Sequence, residues 1–267
     1  MKNKHTKNQP SQTLAKALRI IELFSVHQSD WGIREIGRKT DINPTTVYRL
    51  VTTLHNFGYL DQNPETQRYS LGPSVVHLAS IYMHHNPLPL IATQVFESYS
   101  DRFEYNFYLG TLREYKVVYL AVLDGRGPIK VVVEPGGTTT LQTTALGKVL
   151  LAFQNDDFIN TFLETTSLDS YTSRSLQTPG AVWEEVSQIR QLKYAINDGE
   201  HYEDVGAVGV PIFDHSGEVK LGISFAYPRH LIQEKRLRIK EMVPLLQEMA
   251  GVIALRSGLE SENLHTI

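Results

Sequence analysis

The amino-acid sequence predicts an α+β protein made of two unequal modules, and three observations carry this prediction. Its 267 residues exceed the length of an ordinary single domain. Residues 1–72 hold ten Lys and Arg against six Asp and Glu, a net charge of +4, whereas the remainder holds 16 against 23, a net charge of −7. Helical and turn signals dominate the first part, and strand-like runs flanked by helices fill the second.

Composition narrows the class of protein. Hydrophobic residues make up 41% of the chain and charged residues 21%, which is typical of a globular protein. No apolar run reaches the roughly 18 residues that span a bilayer, and the polar N-terminus lacks the apolar segment of a secretory signal. The absence of cysteine excludes disulfides, thiolate metal ligands and a cysteine nucleophile. We therefore expect a cytoplasmic protein with no membrane partner.

The first module shows three helices and a hairpin. Residues 1–12 are polar and predict a disordered tail. A helix follows from Thr13, as N-cap, to near Val26, and a second covers about 34–40. Asn43-Pro44 begins a third helix that ends near Asn56, because Asn is a good N-cap and Pro suits the first helical position.

Two short strands, 59–61 and 68–70, then flank the turn at 63–66. Three helices and a hairpin in about 60 residues are the layout of a winged helix-turn-helix. We assign this domain to residues 13–73 and a linker helix to residues 74–86.

The second module is assigned to residues 87–258, with a C-terminal tail at 259–267. Its predicted helices cover about 91–99, 143–153, 156–162, 182–192 and 231–257, with Pro244 inside the last. The predicted strands cover about 105–111, 116–123, 129–133, 207–213 and 220–225. Strands with helices at both ends predict a mixed α/β domain.

The third helix has the two faces of a DNA-reading element. Val47, Leu50, Val51 and Leu54 share the inner face, and the opposite face is polar. A major groove accepts such a helix and meets its N-terminal residues. The second helix and the wing are expected to contact the phosphate backbone of the DNA. The predicted DNA-binding residues are Arg34, Asn43, Thr45, Thr46, Tyr48, Arg49, Thr52 and Arg68. The alternative is a small protein-interaction module with a solvated helix.

Five sequence segments resemble the IclR family of bacterial transcription regulators. In the first module they are TLAKALRIIELF, IREIGRKTDINPTTVYRLVTTLHNFGYL and RYSLG. In the second they are TTALGKVLLAF and YAINDGEHYEDVGAVGVPIFDHSGEVKLGISFAYP. The resemblance covers residues 13–257 in order. It implies a GAF-like second domain, a dimer or tetramer, a palindromic double-stranded DNA operator, and a small organic or aromatic acid as effector.

The resemblance also implies an effector pocket, at Thr144, Ala145, Leu146, Asn197, Val205, Ala207, Ser224 and Ala226. The helix that begins near Thr144 would offer N–H groups to a carboxylate. Members that bind very small oxoacids place more polar groups at the positions of Asn197, Ala207 and Ala226, so a larger or more apolar acid is expected here. Phe107, Leu109 and Tyr119 could line this pocket or belong to the ordinary core.

Catalytic and metal motifs are weak in this sequence. An acidic patch with one His, residues 198–204, matches no established metal-ligand spacing and is predicted to be a solvated loop. The sequence has no GxSxG motif, no P-loop and no dinucleotide fingerprint. We expect no catalytic residue, metal or cofactor, and predict a ligand-responsive DNA-binding regulator. The alternatives are a constitutive DNA binder whose second domain only oligomerises, and an enzyme acting on a small metabolite.

Overall fold

The chain divides into two units, residues 1–86 and 87–267. The computed structural model describes residues 11–25, 28–100, 105–127, 133–233 and 238–259. Most of the predicted N-terminal tail, most of the predicted strand 129–133 and residues 260–267 of the predicted C-terminal tail lie outside the described residues.

Within its described residues, the first unit contains four helices and a small antiparallel sheet in the order β1-β3-β2. The elements are α1 (Gln12–Ile21), β1 (Asp30–Trp31), α2 (Ile33–Thr40), α3 (Pro44–Asn56), β2 (Leu60–Gln62), β3 (Tyr69–Leu71) and α4 (Pro73–His85). The sequence did not predict β1, which pairs with β3 and adds a third strand to the hairpin. The predicted end of the first helix was also wrong, because α1 ends at Ile21.

The inner face of α3 forms the core of this unit, as predicted. Val47 and Val51 are fully buried among Ile20, Ile36 and Leu60. The predicted start of α3 is confirmed as well, because the side-chain oxygen of Asn43 accepts a hydrogen bond from the backbone N–H of Thr45 at 2.9 Å. Ser11, rather than Thr13, caps α1.

The second unit contains one six-stranded antiparallel sheet in the order β6-β5-β4-β9-β8-β7. The strands are β4 (Asn106–Arg113), β5 (Lys116–Leu123), β6 (Thr138–Thr139), β7 (Ala195–Asp198), β8 (Val205–Phe213) and β9 (Val219–Pro228). The helices are α5 (Leu88–Ser100), α6 (Ala145–Ala152), α7 (Asp156–Thr165), α8 (Pro179–Leu192), α9 (His230–Gln233) and α10 (Ile239–Arg256). The α+β fold class is thus confirmed.

Three details of the second unit differ from the prediction. Strands β6 and β7, which are two and four residues long, were not predicted. The single predicted last helix consists of α9 and α10. Pro244 lies inside α10 at an exposed position, and the helix continues past it to Arg256. Water can satisfy the carbonyl that Pro244 leaves without an N–H partner.

Helices cover both faces of the sheet. On one face, α5 and α10 pack over Phe107, Leu109 and Phe225. On the other face, α6 and α8 pack with Tyr108 and Tyr119. Side chains alternate between the faces along a strand, so neighbouring residues of β4 belong to different cores.

Helix α6 lies directly on the sheet because the strand beneath it carries glycine. A Cβ atom at Gly209 would stand 2.7 Å from the carbonyl oxygen of Ala145 and 3.1 Å from the backbone nitrogen of Leu146. Within the helix, a Cβ at Gly147 would stand 2.3 Å from the carbonyl oxygen of Thr140. Neither position can hold a side chain unless the backbone of α6 moves.

The close approach of α6 predicts a large difference between two glycine-to-alanine substitutions. Gly209→Ala should lower the free energy of unfolding by about 1–3 kcal/mol, because the new methyl group overpacks a backbone contact. Gly180→Ala is the matched control, since a Cβ there meets nothing within 4 Å. Urea unfolding of the full chain measures both variants. Equal stability of the two would show that α6 does not need the glycine.

Candidate DNA-reading surface and effector site

The polar face of α3 is open to solvent. Thr45, Tyr48, Arg49 and Asn56 are exposed, and Thr46 and Thr52 are half-buried. No acidic residue occurs between Asp41 and Asp61, so nothing on the helix neutralises Arg49. Exposed hydroxyl groups, a phenol and a guanidinium on one helix face are donors suited to base edges and phosphates.

Two of the predicted DNA-binding residues have structural partners. Asn43 caps α3, as described above. Arg68, directly before β3, forms ion pairs of 2.8 Å each with the carboxylates of Asp30 and Glu35. Hydrogen bonds from the Gly32 N–H and from Arg68 lower the pKa of Glu35. Arg68 thus fastens the wing to β1 and α2, and its phosphate contact stays a prediction.

The first turn of α6 lies over polar strand residues. The Thr144 hydroxyl oxygen accepts a hydrogen bond from the Gly147 N–H at 3.0 Å and caps the helix. In the register of β8 and β9, Gly209 stands opposite Ser224, and Ala207 stands opposite Ala226. Opposite residues project to the same face, so Ser224 lies on the face that α6 covers. Ser224 is 4% exposed, and its hydroxyl forms no hydrogen bond to any described residue.

The loop after β7 is tied to the start of α6. Asn197 donates from its amide to the carbonyl oxygen of Thr143 at 2.6 Å. Its side-chain oxygen accepts from the N–H groups of Gly199 at 2.8 Å and Glu200 at 3.1 Å. Both ends of the amide are therefore engaged, and Asn197 positions this loop. Its predicted hydrogen bond to an effector stays a prediction.

The prediction of a solvated loop at 198–204 was wrong for Glu200. Glu200 is buried, and its carboxylate forms an ion pair of 2.6 Å with Lys148, which is only 3% exposed. Glu185 of α8 binds the same ammonium group at 2.7 Å. Asp198 is exposed but is held by Arg174 and Arg229. Within the described ranges, no group of three His, Cys, Asp or Glu residues could hold a metal ion.

Matches to known proteins cover both units. A model of the IclR helix-turn-helix domain matches residues 13–64. A model of the bacterial transcriptional regulator IclR C-terminal domain matches residues 80–255. The chain belongs to the IclR family. This confirms the resemblance found in the sequence. It also confirms the prediction of a transcription regulator with a helix-turn-helix DNA-binding domain.

Three relatives of this IclR-family chain match over 92% to 100% of their own length. The HTH-type transcriptional regulator KdgR of Escherichia coli strain K12 is 28% identical over 244 residues, 90% of this chain and 92% of KdgR. The structure of an IclR transcriptional regulator from Alicyclobacillus acidocaldarius has a TM-score of 0.81 at 23% identity, covering 94% and 100% of the two chains. That of an IclR homologue from Microbacterium hydrocarbonoxydans, complexed with 4-hydroxybenzoate, has a TM-score of 0.77 at 20% identity, covering 90% and 97%.

None of the helices in the described ranges of this IclR protein combines the length and the apolar character needed to cross a bilayer.

The structure corrects which residues of β4 face α6. Phe107 and Leu109, which we considered as pocket residues, lie in the core under α5 and α10. Tyr108 faces α6 instead, opposite Ser224 in the register of β4 and β9. Its ring centroid is 5.5 Å from that of Tyr119, and burial raises the pKa of Tyr119 to about 12. Sequence reasoning missed Tyr108 because residues 106–110 are all buried and show no alternation.

His201 was also missed as a residue of this site. Its Nδ1 lies 2.8 Å from the hydroxyl oxygen of Thr143, and its ring centroid lies 4.5 Å from that of Tyr171. Burial lowers the pKa of His201. A signal was present in the sequence, because His201 lies inside the segment 194–228 that resembles the IclR family. We interpreted His201 only as part of an acidic patch.

The buried ion pair predicts a difference between two lysine substitutions. Lys148→Met should lower the free energy of unfolding by about 3 kcal/mol, because it leaves Glu200 buried without its cation. Lys220→Met, which breaks the exposed pair with Glu218, should change it by less than about 1 kcal/mol. Adding Glu200→Gln to Lys148→Met should restore part of the loss. Urea unfolding measures all three, and similar losses for both single variants would contradict the assigned role of Lys148.

Proposed function

We propose that this IclR-family regulator binds its operator through the polar face of α3 and changes that binding when a small organic or aromatic acid binds at the N-terminal end of α6. The observation that carries the effector half of the proposal is Ser224. Its hydroxyl has no partner among the described residues and only slight access to solvent, so it loses most of its hydrogen bonding to water and regains none within the fold. A bound polar ligand would satisfy it.

The start of α6 supports an anionic ligand. Along the described chain, the N–H groups of Ala145 and Leu146 have no hydrogen-bond acceptor. The first N–H groups of a helix and the helix dipole together favour a carboxylate. Ala207 and Ala226 on the strands beneath contribute methyl groups, which suit an aromatic or larger aliphatic acid. The 4-hydroxybenzoate bound by the Microbacterium homologue belongs to that class.

The DNA half rests on α3 and on the charge of the first unit. Thr45, Thr46 and Tyr48 read base edges, and Arg49 with Thr52 contacts a phosphate or a guanine. Arg34 contacts the phosphate backbone from the exposed side of α2. Asn43 and Arg68 hold α3 and the wing in place for this contact.

A dimer completes the proposed regulator. Residues 13–73 form the winged helix domain, residues 74–86 the linker and residues 87–258 the effector domain. No residue of α4 is buried in the chain as described, and its exposed apolar side chains, Val76, Leu78, Ile81, Tyr82 and Met83, suit a contact between two copies. Two copies, or four, place paired reading helices on a palindromic operator in the cytoplasm. The effector favours one spacing of these helices through the linker.

Ligand-dependent melting tests the effector half. Benzoate, 4-hydroxybenzoate, pyruvate and lactate are added to the full chain, and at least one acid should raise the melting temperature by mass action. Ser224→Ala should reduce that rise, whereas Ser187→Ala, at an exposed helix position, should not. If no acid in the set gives a rise, the constitutive DNA binder replaces this proposal.

Operator binding tests the placement of the recognition helix. Arg49→Ala should weaken binding to an operator selected from random DNA by more than about 1 kcal/mol, because Arg49 is central on the reading face. Thr45→Ala should change sequence preference more than affinity. Arg113→Ala, an exposed arginine of the second unit, serves as control. Fluorescence anisotropy measures binding, and an intact operator complex with both α3 variants would place the reading surface elsewhere.

A further inference from the structure

Seven of nine buried polar side chains have partners in the chain as described. The nine residues are Asn106, Gln142, Thr143, Lys148, Thr172, Ser175, Asn197, Glu200 and Ser224. Ser224 and Gln142 alone form no hydrogen bond to a described residue. Ser224 belongs to the proposed effector site. Gln142 belongs to neither proposed site, although the residue is only 2% exposed.

The amide of Gln142 borders a space that water can enter. Among the described residues, no side-chain nitrogen or oxygen is both sealed from solvent and without a partner. Since the amide of Gln142 has no partner, its atoms must have some access to solvent. The residue as a whole is nearly buried, so this access is narrow. A nearly buried amide that lacks a partner and still reaches solvent is able to bind a polar group of a small molecule.

Chain connectivity places Gln142 next to the first turn of α6. Two steps of about 3.8 Å separate its Cα from that of the helix cap, Thr144. Leu141 on one side is fixed in the core, and Thr143 on the other is held by Asn197 and His201. The backbone around Gln142 is therefore held from both sides. The two unsatisfied buried side chains belong to segments that meet at the start of α6.

An amide with only narrow access to water loses part of its hydrogen bonding to solvent, at a cost of up to about 1–3 kcal/mol of stability, which an apolar side chain of similar size would avoid. A primary amide both donates and accepts, so one hydroxyl or keto group can satisfy it in part. The N–H groups of the α6 first turn suit the carboxylate of the same ligand. The two sets of groups thus match two different ends of one small molecule.

We propose that Gln142 is a specificity-determining residue that binds a hydroxyl or keto group of the acid effector. The proposal rests on the proposed function, because the carboxylate of that acid lies at α6. An acid without the second polar group leaves the amide of Gln142 unsatisfied, and binding sites built to hydrogen-bond a substituent discriminate strongly against analogues that lack it.

The first test uses the full chain without ligand. Gln142→Met keeps the side-chain size and removes the amide, so the urea midpoint should stay unchanged or rise. Gln154→Met is the matched control, because the Gln154 amide donates to the carbonyl oxygens of Leu150 and Val219. That variant should unfold at lower urea. If Gln142→Met unfolds at equally low urea, the Gln142 amide has a structural role and the proposal is wrong.

The second test compares ligand pairs by isothermal titration calorimetry on the full chain. The probes are benzoate with its three hydroxy isomers, and propionate with lactate and pyruvate. The wild type should bind at least one substituted acid tenfold or more tightly than its unsubstituted parent. Gln142→Met should bring that ratio close to one while the parent acid still binds.

The outcomes separate the two proposals. The role of Gln142 is overturned if wild type and Gln142→Met prefer the substituted acid over its parent equally. It is also overturned if the wild type binds acids without such a preference. Both results leave the acid effector in place. A wild type that binds none of these acids overturns the acid effector, and the role of Gln142 with it.

Discussion

The second unit depends on the direct contact between the first turn of α6 and strand β8. Gly209 lets the backbone of Ala145 and Leu146 approach to a distance at which no side chain fits. The helix start, with its N–H groups, is thereby placed above Ser224, which stands opposite Gly209 on β9. A longer side chain at position 209 would lift the helix and separate the proposed carboxylate site from the strand hydroxyl.

Ion pairs of a buried lysine also hold α6 in place. Lys148 lies one turn into α6 and binds the carboxylates of Glu185 and Glu200. Glu200 belongs to the loop that Asn197 ties to Thr143. Helix α8, the loop after β7 and the start of α6 therefore share one buried ion cluster. In the proposed mechanism, an effector that moves the first turn of α6 also moves helix α8 and the loop after β7.

Local patterns predicted the first unit better than the second. Asn43-Pro44 and the spacing of Val47, Leu50 and Val51 fixed the start and inner face of α3, because capping and helical periodicity are short-range properties. The residues of β4 that face α6 could not be predicted, since the strand is buried on both faces. The partners of Arg68 and Lys148 lie more than 30 residues away in sequence, and only the fold brings them together.

The most direct test of the effector site is a crystal structure of the full chain bound to the acid that most raises its melting temperature. The proposed site predicts carboxylate oxygens within hydrogen-bond distance of the backbone nitrogens of Ala145 and Leu146, and a ligand atom bonded to the Ser224 hydroxyl. An acid bound instead on the α5 and α10 face of the sheet, or at the surface away from α6, would contradict it.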